Sequence, residues 1–321
     1  LENEGYLGGY GKNARSNLRI IRMMIGGQRW GFQYSPYAYF NEHCIFLDQK
    51  HIPMIINQQT LINLVDIEKQ LPEYFVGSNA DLPIVGGSML AHEHYQGGRH
   101  IFPMMKAKIK KEIYFEKYPE VKAGIVDWPM SDLRLISKNS LDLIDLGSKI
   151  INFWDHYSDP ARQVKAFEGN SKHHTVTPIM HREGDRFILD LVLRDNNTSD
   201  EYPLGIFHPH AELWHIKKEN IGLIEVMGRA ILPGRLKGEL EEVKKYLLNQ
   251  DNRIADSHLD WARKLKADSQ ITKENVDSIL QQALVEIFDQ VLECAGVFKN
   301  NEDGEVGWQK FTDALISEVD R

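Results

Sequence analysis

His92, His94, Gln96 and His100 fall within nine residues of the stretch GGSMLAHEHYQGGRH, residues 86–100. On an extended segment, residues i and i+2 project from one face, so His92, His94 and Gln96 are expected as a row along one surface. Three uses compete for such a row. Imidazoles tied into the fold by hydrogen bonds are the plainest. His92, His94 and His100 are also a start on a zinc site that draws further ligands from elsewhere. The third is nucleophilic catalysis, in which a neutral imidazole, its far nitrogen held by a hydrogen bond, attacks phosphorus and forms an N-phosphoryl intermediate. The pattern recurs. His208-x-His210-x-Glu212 repeats the grammar of His92-x-His94-x-Gln96, each after a glycine-containing turn and an apolar step, which suggests two copies of one mixed α/β unit.

The elements that must position these residues follow from periodicity. β-branched and aromatic residues bounded by Gly and Pro predict short strands from LRIIRMMIGGQRWGFQYSPYAYF to EHCIFLD at 42–48. Leu61, Leu64, Val65, Ile67 and Leu71 fall at helical spacing, with Thr60 as the expected cap. DLPIVGGSML and HEHYQ read as a glycine-interrupted strand carrying the first histidines. AKIKKEIYFEKY is strand-like, 139–157 helical, and RFILDLVLRD at 186–195 the strongest strand signal. Turn residues then lead to a second expected histidine strand, IFHPHAELWHI. From 238 onward the text is amphipathic helix, read as packing. The expectation is an α+β chain in three regions: a first unit over 1–105 with the catalytic motif, a second and degenerate unit over 106–237, and a helical C-terminal region over 238–321.

Composition narrows the function. The 321 residues are 42% hydrophobic, enough to fill a sizeable core, and 38 basic against 46 acidic side chains give a net charge of −8. A broad positive field for nucleic acid or anionic lipid is therefore not expected, and any phosphate site must be local. Cys44 and Cys294 form no CxxC pair, which fits a reducing, cytoplasmic setting, and no apolar run is long enough to span a membrane. The opening GGYGKNARSN fails as a P-loop, because Tyr6 stands where the first glycine belongs and Asn13 where Ser or Thr belongs.

NADLPIVGGSMLAHEHYQGG and YPLGIFHPHAELWHIKKENIGLIEVMGRAILPGRL closely resemble the class II galactose-1-phosphate uridylyltransferases, relatives of the histidine-triad superfamily. WGFQYSPYAYFNEHC and AGIVDWPMS extend the resemblance over about residues 4 to 237. It implies two tandem histidine-triad-like units with mainly antiparallel sheets. It also implies a homodimer that moves UMP from UDP-glucose to galactose 1-phosphate through uridylyl-histidine. Carried over residue by residue, His94 is the nucleophile and Gln96 the donor to the phosphate oxygens. Asn79, Gly86, Gly87 and Ser88 become candidate nucleotide contacts, and Lys218 and Glu225 candidate sugar and phosphate contacts. A structural zinc or iron is implied, with His51 and His92 in one site and His174, His208 and His210 in another, and no metal is required for the chemical step. Glu212 in place of glutamine implies that the second copy has lost the nucleophilic role. The family's additional N-terminal region and its CxxC do not precede this segment, so the chain is expected to be a fragment or a shortened form. Two rival readings stand beside this one: a histidine-triad-like nucleotide hydrolase, and a catalytically silent nucleotide- or metal-binding protein.

Overall fold

A tight reversal starts the sheet. Gly26 and Gly27 both take positive φ (55° and 77°), as a two-residue hairpin turn demands, and set β1 (Ile21–Ile25) against β2 (Gln28–Tyr34) with Ile25 opposite Gln28. The computed structural model describes residues 4–11, 14–87 and 89–321. In chain order there follow β3 (Cys44–Asp48), α1 (Gln58–Gln70), β4 (Phe75–Gly77), β5 (His94–Gly98), α2 (Pro103–Lys106), β6 (Ile109–Ile113), β7 (Lys122–Val126), β8 (Asp132–Ser137) and α3 (Ser140–Trp154). A two-residue hairpin, β9 (Phe167–Glu168) with β10 (Ser171–Lys172), leads to β11 (His174–Glu183) and β12 (Arg186–Asp195). Helices α4 (Leu223–Val226), α5 (Leu236–Leu247), α6 (Asp256–Asp268), α7 (Val276–Ala295) and α8 (Glu302–Val319) complete the chain.

Ten strands form one sheet in the order β1-β2-β3-β5-β4-β11-β12-β8-β7-β6, paired antiparallel throughout. The α+β class and the helical C-terminal region are as the sequence predicts. The order is itself repetitive. β1-β2-β3-β5-β4 on one side matches β6-β7-β8-β12-β11 on the other, α1 following β3 as α3 follows β8, and the halves join where β4 pairs with β11.

Alternation along the strands sorts the two faces. Phe46, Tyr95, Leu133, Leu135, Leu189 and Leu191 face one way, into a core shared with α1, α3 and α8. Phe75, Ile179 and Val192 face the other, under Ile216 to Met227 and α7. A smaller core joins α5, α6 and α7.

Four expectations are corrected. Helix α1 is capped by Asn57, whose side chain accepts from the Gln59 and Thr60 amides, while Thr60 sits inside the first turn and returns a bond to the Asn57 backbone. The first histidine strand begins only at His94, so His92 lies before the ladder rather than in it. The second is no strand: residues 206–216 run through turns and a 3₁₀ turn at Ala211–Leu213. Pro209 sits between its two histidines with no N–H to give a ladder. The strand occupying β5's place in the second half is β12, which carries no histidine, so the echo between the two H-x-H stretches does not follow the repeat of the fold.

On the face opposite α1 and α3, Arg134 of β8 grips Asp190 of β12 with two bonds (2.6 and 3.1 Å) and the carbonyls of Ala107 and Met104 (2.6 and 3.0 Å). It thereby ties down the segment that leaves the histidine strand. Asp132 is fully buried beside it, and burial together with the Asp190 charge pushes its pKa well above the carboxylate range. Removing the guanidinium would leave Asp190 buried without its counter-charge. Arg134→Ala is expected to lower the unfolding free energy by roughly 3–5 kcal/mol in urea titrations. A loss under about 1 kcal/mol would show that the pair carries little of the fold.

Candidate active site

β3 and β5 place His94 and Gln96. Leu47 stands opposite His94 and Ile45 opposite Gln96, so both polar side chains leave the sheet on the face away from α1. Tyr95, between them, turns to the other face, stacks on Trp30 at 4.9 Å and receives a hydrogen bond from Asn63 of α1 (2.9 Å). A large ring locked by packing and a hydrogen bond fixes the strand's rotation, and with it the direction of its neighbours.

His94 is 5% exposed. Its Nδ1 lies 2.8 Å from the carbonyl oxygen of His92. A carbonyl only accepts, so Nδ1 carries the proton and Nε2 keeps its lone pair. Burial holds the pKa of His94 below the ordinary histidine value, outweighing the carbonyl bond, and the nearby His92 ring adds to the depression. The ring is therefore neutral at pH 7, with Nε2 unprotonated, and it lines a cavity. Gln96 Oε1 lies 3.0 Å from Nε2 of His43, which precedes β3.

Asn79, Gly86, Gly87, His94, Gln96 and Glu225 line one cavity of about 710 Å³. Gly86 has a steric reason to be glycine, since a Cβ there would come within 2.3 Å of the Ala80 carbonyl oxygen. At Gly87 a Cβ would meet the Asn79 amide nitrogen at 2.5 Å. Asn79 Oδ1 accepts from the Leu223 amide at 2.8 Å, binding the first half's wall to the segment that roofs it from the second. Ser88 lies outside the described residues, as do Leu1, Lys12 and Asn13 of the glycine-rich opening.

Lys218 does not line the cavity. It is exposed, with its ammonium 4.6 Å over the Trp214 ring, and the neighbouring Lys217 lines the cavity instead. Lys217 is buried, 2.6 Å from Glu225, and donates to the Ile231 carbonyl at 3.1 Å. Burial raises the pKa of Glu225 and the Lys217 charge opposes that rise. Sequence spacing also missed His43 and the stacked pair Tyr37–Tyr39 (5.6 Å, 7°), all of which line the cavity. The available signal for His43 was its place one residue before an apolar strand.

The expected metal ligands divide. His51 and His92 do come together, ring centroids 4.4 Å apart, with His92 Nε2 bound to the Asp48 carbonyl at 2.8 Å. His174 does not join His208 and His210. It is fully buried, stacked on Trp154 at 3.9 Å, and both its nitrogens are taken, Nδ1 by the Trp154 carbonyl (2.8 Å) and Nε2 by Asp195 (3.0 Å). His208 is buried between the Pro209 carbonyl (3.1 Å) and Asn220 (3.2 Å). His100 packs edge-on to Phe102 at 4.5 Å and lines a separate cavity.

His210 instead meets Glu212 and Cys294, all three ligand atoms within 4.8 Å of one another. His210 Nε2–H donates to the Ile206 carbonyl at 2.9 Å, which leaves the Nδ1 lone pair to serve as a metal ligand. Imidazole, carboxylate and thiolate together suit a transition-metal cation. Cys294 comes from α7, in the region read as packing alone. Cys44, in contrast, is buried in the sheet, and burial pushes its thiol pKa far up.

A curated galactose-1-phosphate uridylyltransferase of Lactobacillus helveticus is 78% identical over 319 residues, covering 99% of this chain and 65% of the relative. The Pediococcus pentosaceus protein of the same name is 59% identical over 315 residues, 98% of this chain and 65% of the relative. This chain thus spans about two thirds of the length of these curated relatives. The solved structure of a DUF4931 family protein from Bacillus cereus aligns at TM-score 0.37 and 11% identity over 57% of this chain and 88% of that one. The family described as "Galactose-1-phosphate uridyl transferase, C-terminal domain" matches residues 67–263, a span that holds His94, Gln96, Lys217 and Glu225, and the chain belongs to that family.

Proposed function

We propose that the chain transfers UMP from UDP-glucose to galactose 1-phosphate through a covalent uridylyl-His94. The observation that carries this reading is the His94 ring, neutral, with Nδ1–H spent on the His92 carbonyl, in a cavity that Gln96 also lines. In the first half-reaction Nε2 attacks the α-phosphorus, an N–P bond forms, and the bond from that phosphorus to the bridging oxygen breaks. The electron pair leaves with glucose 1-phosphate. In the second, a phosphate oxygen of galactose 1-phosphate attacks the same phosphorus and His94 leaves.

Neither step requires a proton to be delivered, because the leaving group is already stable as an anion. While the bond stands, the imidazole is cationic, and the His92 carbonyl dipole stabilises it through Nδ1–H. Gln96 supports phosphate charge by hydrogen bonding and cannot titrate, so it gives a water molecule no acid or base to work with. The amides near Gly86 and Gly87 are available to the α-phosphate, and Lys217 with Glu225 to the sugar phosphate.

The metal belongs to the same proposal: zinc or iron held by His210, Glu212 and Cys294 would cross-link α7 to the 206–212 segment. Family resemblance supports the homodimer and the cytoplasmic setting. No helix among the described residues is long and apolar enough to cross a membrane.

UDP-glucose bearing ³²P in the α-phosphate is expected to leave acid-labile label on the protein, and His94→Ala to abolish it. Labelling should hold steady above the ordinary histidine pKa and fall as pH drops through the lower pKa of His94, where the lone pair is lost. Tight UDP binding without label would instead identify a silent binder, and release of UMP without exchange into glucose 1-phosphate a hydrolase. Gln96→His is expected to raise UDP-glucose hydrolysis relative to transfer by about tenfold, since it restores a proton donor; an unchanged ratio in product assays would remove that role from Gln96.

A further inference from the structure

We infer that His43 is a positioning residue for Gln96, its Nε2–H holding the carboxamide oxygen so that the amide –NH₂ faces the cavity. The inference rests on the uridylyl-transfer reading above. A glutamine side chain is ambiguous toward a phosphate. One face of the amide donates, the other would repel, and the two exchange by a half-turn about the last bond. Something must choose, and His43 is the group in contact: its Nε2 lies 3.0 Å from Gln96 Oε1.

The ring is built to hold one orientation. It is 4% exposed, and Phe40 (4.4 Å) and Tyr39 (5.7 Å) pack against it. Its backbone is pinned on both sides, His43 N to the Phe40 carbonyl at 3.2 Å and the Ser35 amide to the His43 carbonyl at 2.8 Å. Two residues on, Ile45 pairs with Gln96 across β3 and β5, so the positioning ring sits at the start of the strand next to its target's.

The hydrogen-bond count then selects the direction. Burial keeps the ring neutral, with one N–H to place. His43 Nδ1 is buried without a partner among the described residues. If Nε2 carries the proton, Nε2–H donates to Gln96 Oε1 and Nδ1 is left as an unfilled acceptor. If Nδ1 carries it, a buried N–H is orphaned, the rarer and less tolerated outcome. The first arrangement turns the Gln96 –NH₂ outward, and an anionic phosphate in the cavity favours it further by repelling the alternative. His43 does not touch the reacting atoms in this scheme. It acts through Gln96 by removing the wrong rotamer and limiting side-chain freedom.

A double-mutant cycle on single-turnover ³²P labelling tests the inference, with His43→Ala, His43→Gln, Gln96→Ala and the His43→Ala/Gln96→Ala pair compared on the same chain. Gln96→Ala should slow labelling about a hundredfold, as loss of a transition-state donor does. His43→Ala should slow it roughly tenfold, with a smaller change in the UDP-glucose concentration for half-maximal rate. In the Gln96→Ala background His43→Ala should cost nothing further. His43→Gln, which can set an amide nitrogen where Nε2 stands, should recover most of the rate. Labelling of His43→Ala at the wild-type rate overturns the inference, as does a second full loss in the Gln96→Ala background. Wild-type protein that takes no label overturns the uridylyl-transfer reading and this inference with it, so the two failures are told apart by the first measurement.

Discussion

The hydrogen bond from His94 Nδ1 to the His92 carbonyl sets the terms for the rest of the site. An imidazole with one proton to place is a nucleophile at one nitrogen only, and the carbonyl decides which. That carbonyl must be free of the sheet ladder. His92 lies before β5, and no described backbone amide donates to its carbonyl; the next residue, Glu93, still accepts from the Asp48 amide of β3 but donates its own N–H to the Ile52 carbonyl outside the sheet. A strand running unbroken through His92 would have drawn its backbone into interstrand bonds. The strand is shorter than the reading over 81–96, and the His92 carbonyl that lies outside it keeps Nε2 unprotonated.

Burial acts in the same direction. Desolvation lowers the pKa of both His94 and His43, so at pH 7 each ring has one N–H and one lone pair. With so few donors, each must be directed by a fixed partner. Those partners are backbone or adjacent-strand groups, which cannot wander: the His92 carbonyl for His94, and Gln96, across the β3–β5 ladder, for His43. Tyr95, facing the opposite core between Trp30 and Asn63, prevents the strand from rolling.

Legibility in the sequence followed how local each feature is. The 186–195 strand, the 139–157 helix and the helices after 238 all carry their period in their own residues, and the structure places them there within a few residues. The His-x-His-x-Gln row was legible because two-residue spacing and glycine flanks are local too. What escaped depends on contacts distant in the chain. His43 meets Gln96 only through the β3–β5 pairing, and Cys294 reaches His210 only through packing of α7. Lys217 rather than Lys218 turns inward because the chain there curls over Leu213 instead of extending, with the Lys217 amide bonded to the Leu213 carbonyl at 2.9 Å. Strand alternation holds no information about such a turn. The second H-x-H misled for the same reason, since Pro209 breaks a pattern that composition alone appeared to repeat.

The repeated strand order sets the two halves side by side, and the faces they present differ. β12 stands in the second half where β5 stands in the first, and on the corresponding face it carries Ile188, Asp190 and Val192. Asp190 there is closed by Arg134 from β8 with two bonds, and half-buried His181 lies 3.7 Å from it. Arg134 also clamps the carbonyls of Met104 and Ala107, in the segment that follows the histidine strand of the first half. The reciprocal arm, from Lys217 to Ile231 after β12, closes over the first half and brings Glu225 to its cavity, with Leu223 bonded to Asn79. Each half therefore lends a segment to the other. One receiving face carries a buried ion pair that secures the fold, and the other carries a neutral imidazole. Such a division lets a single buried, neutral imidazole be held on a sheet whose stability rests on a different set of residues.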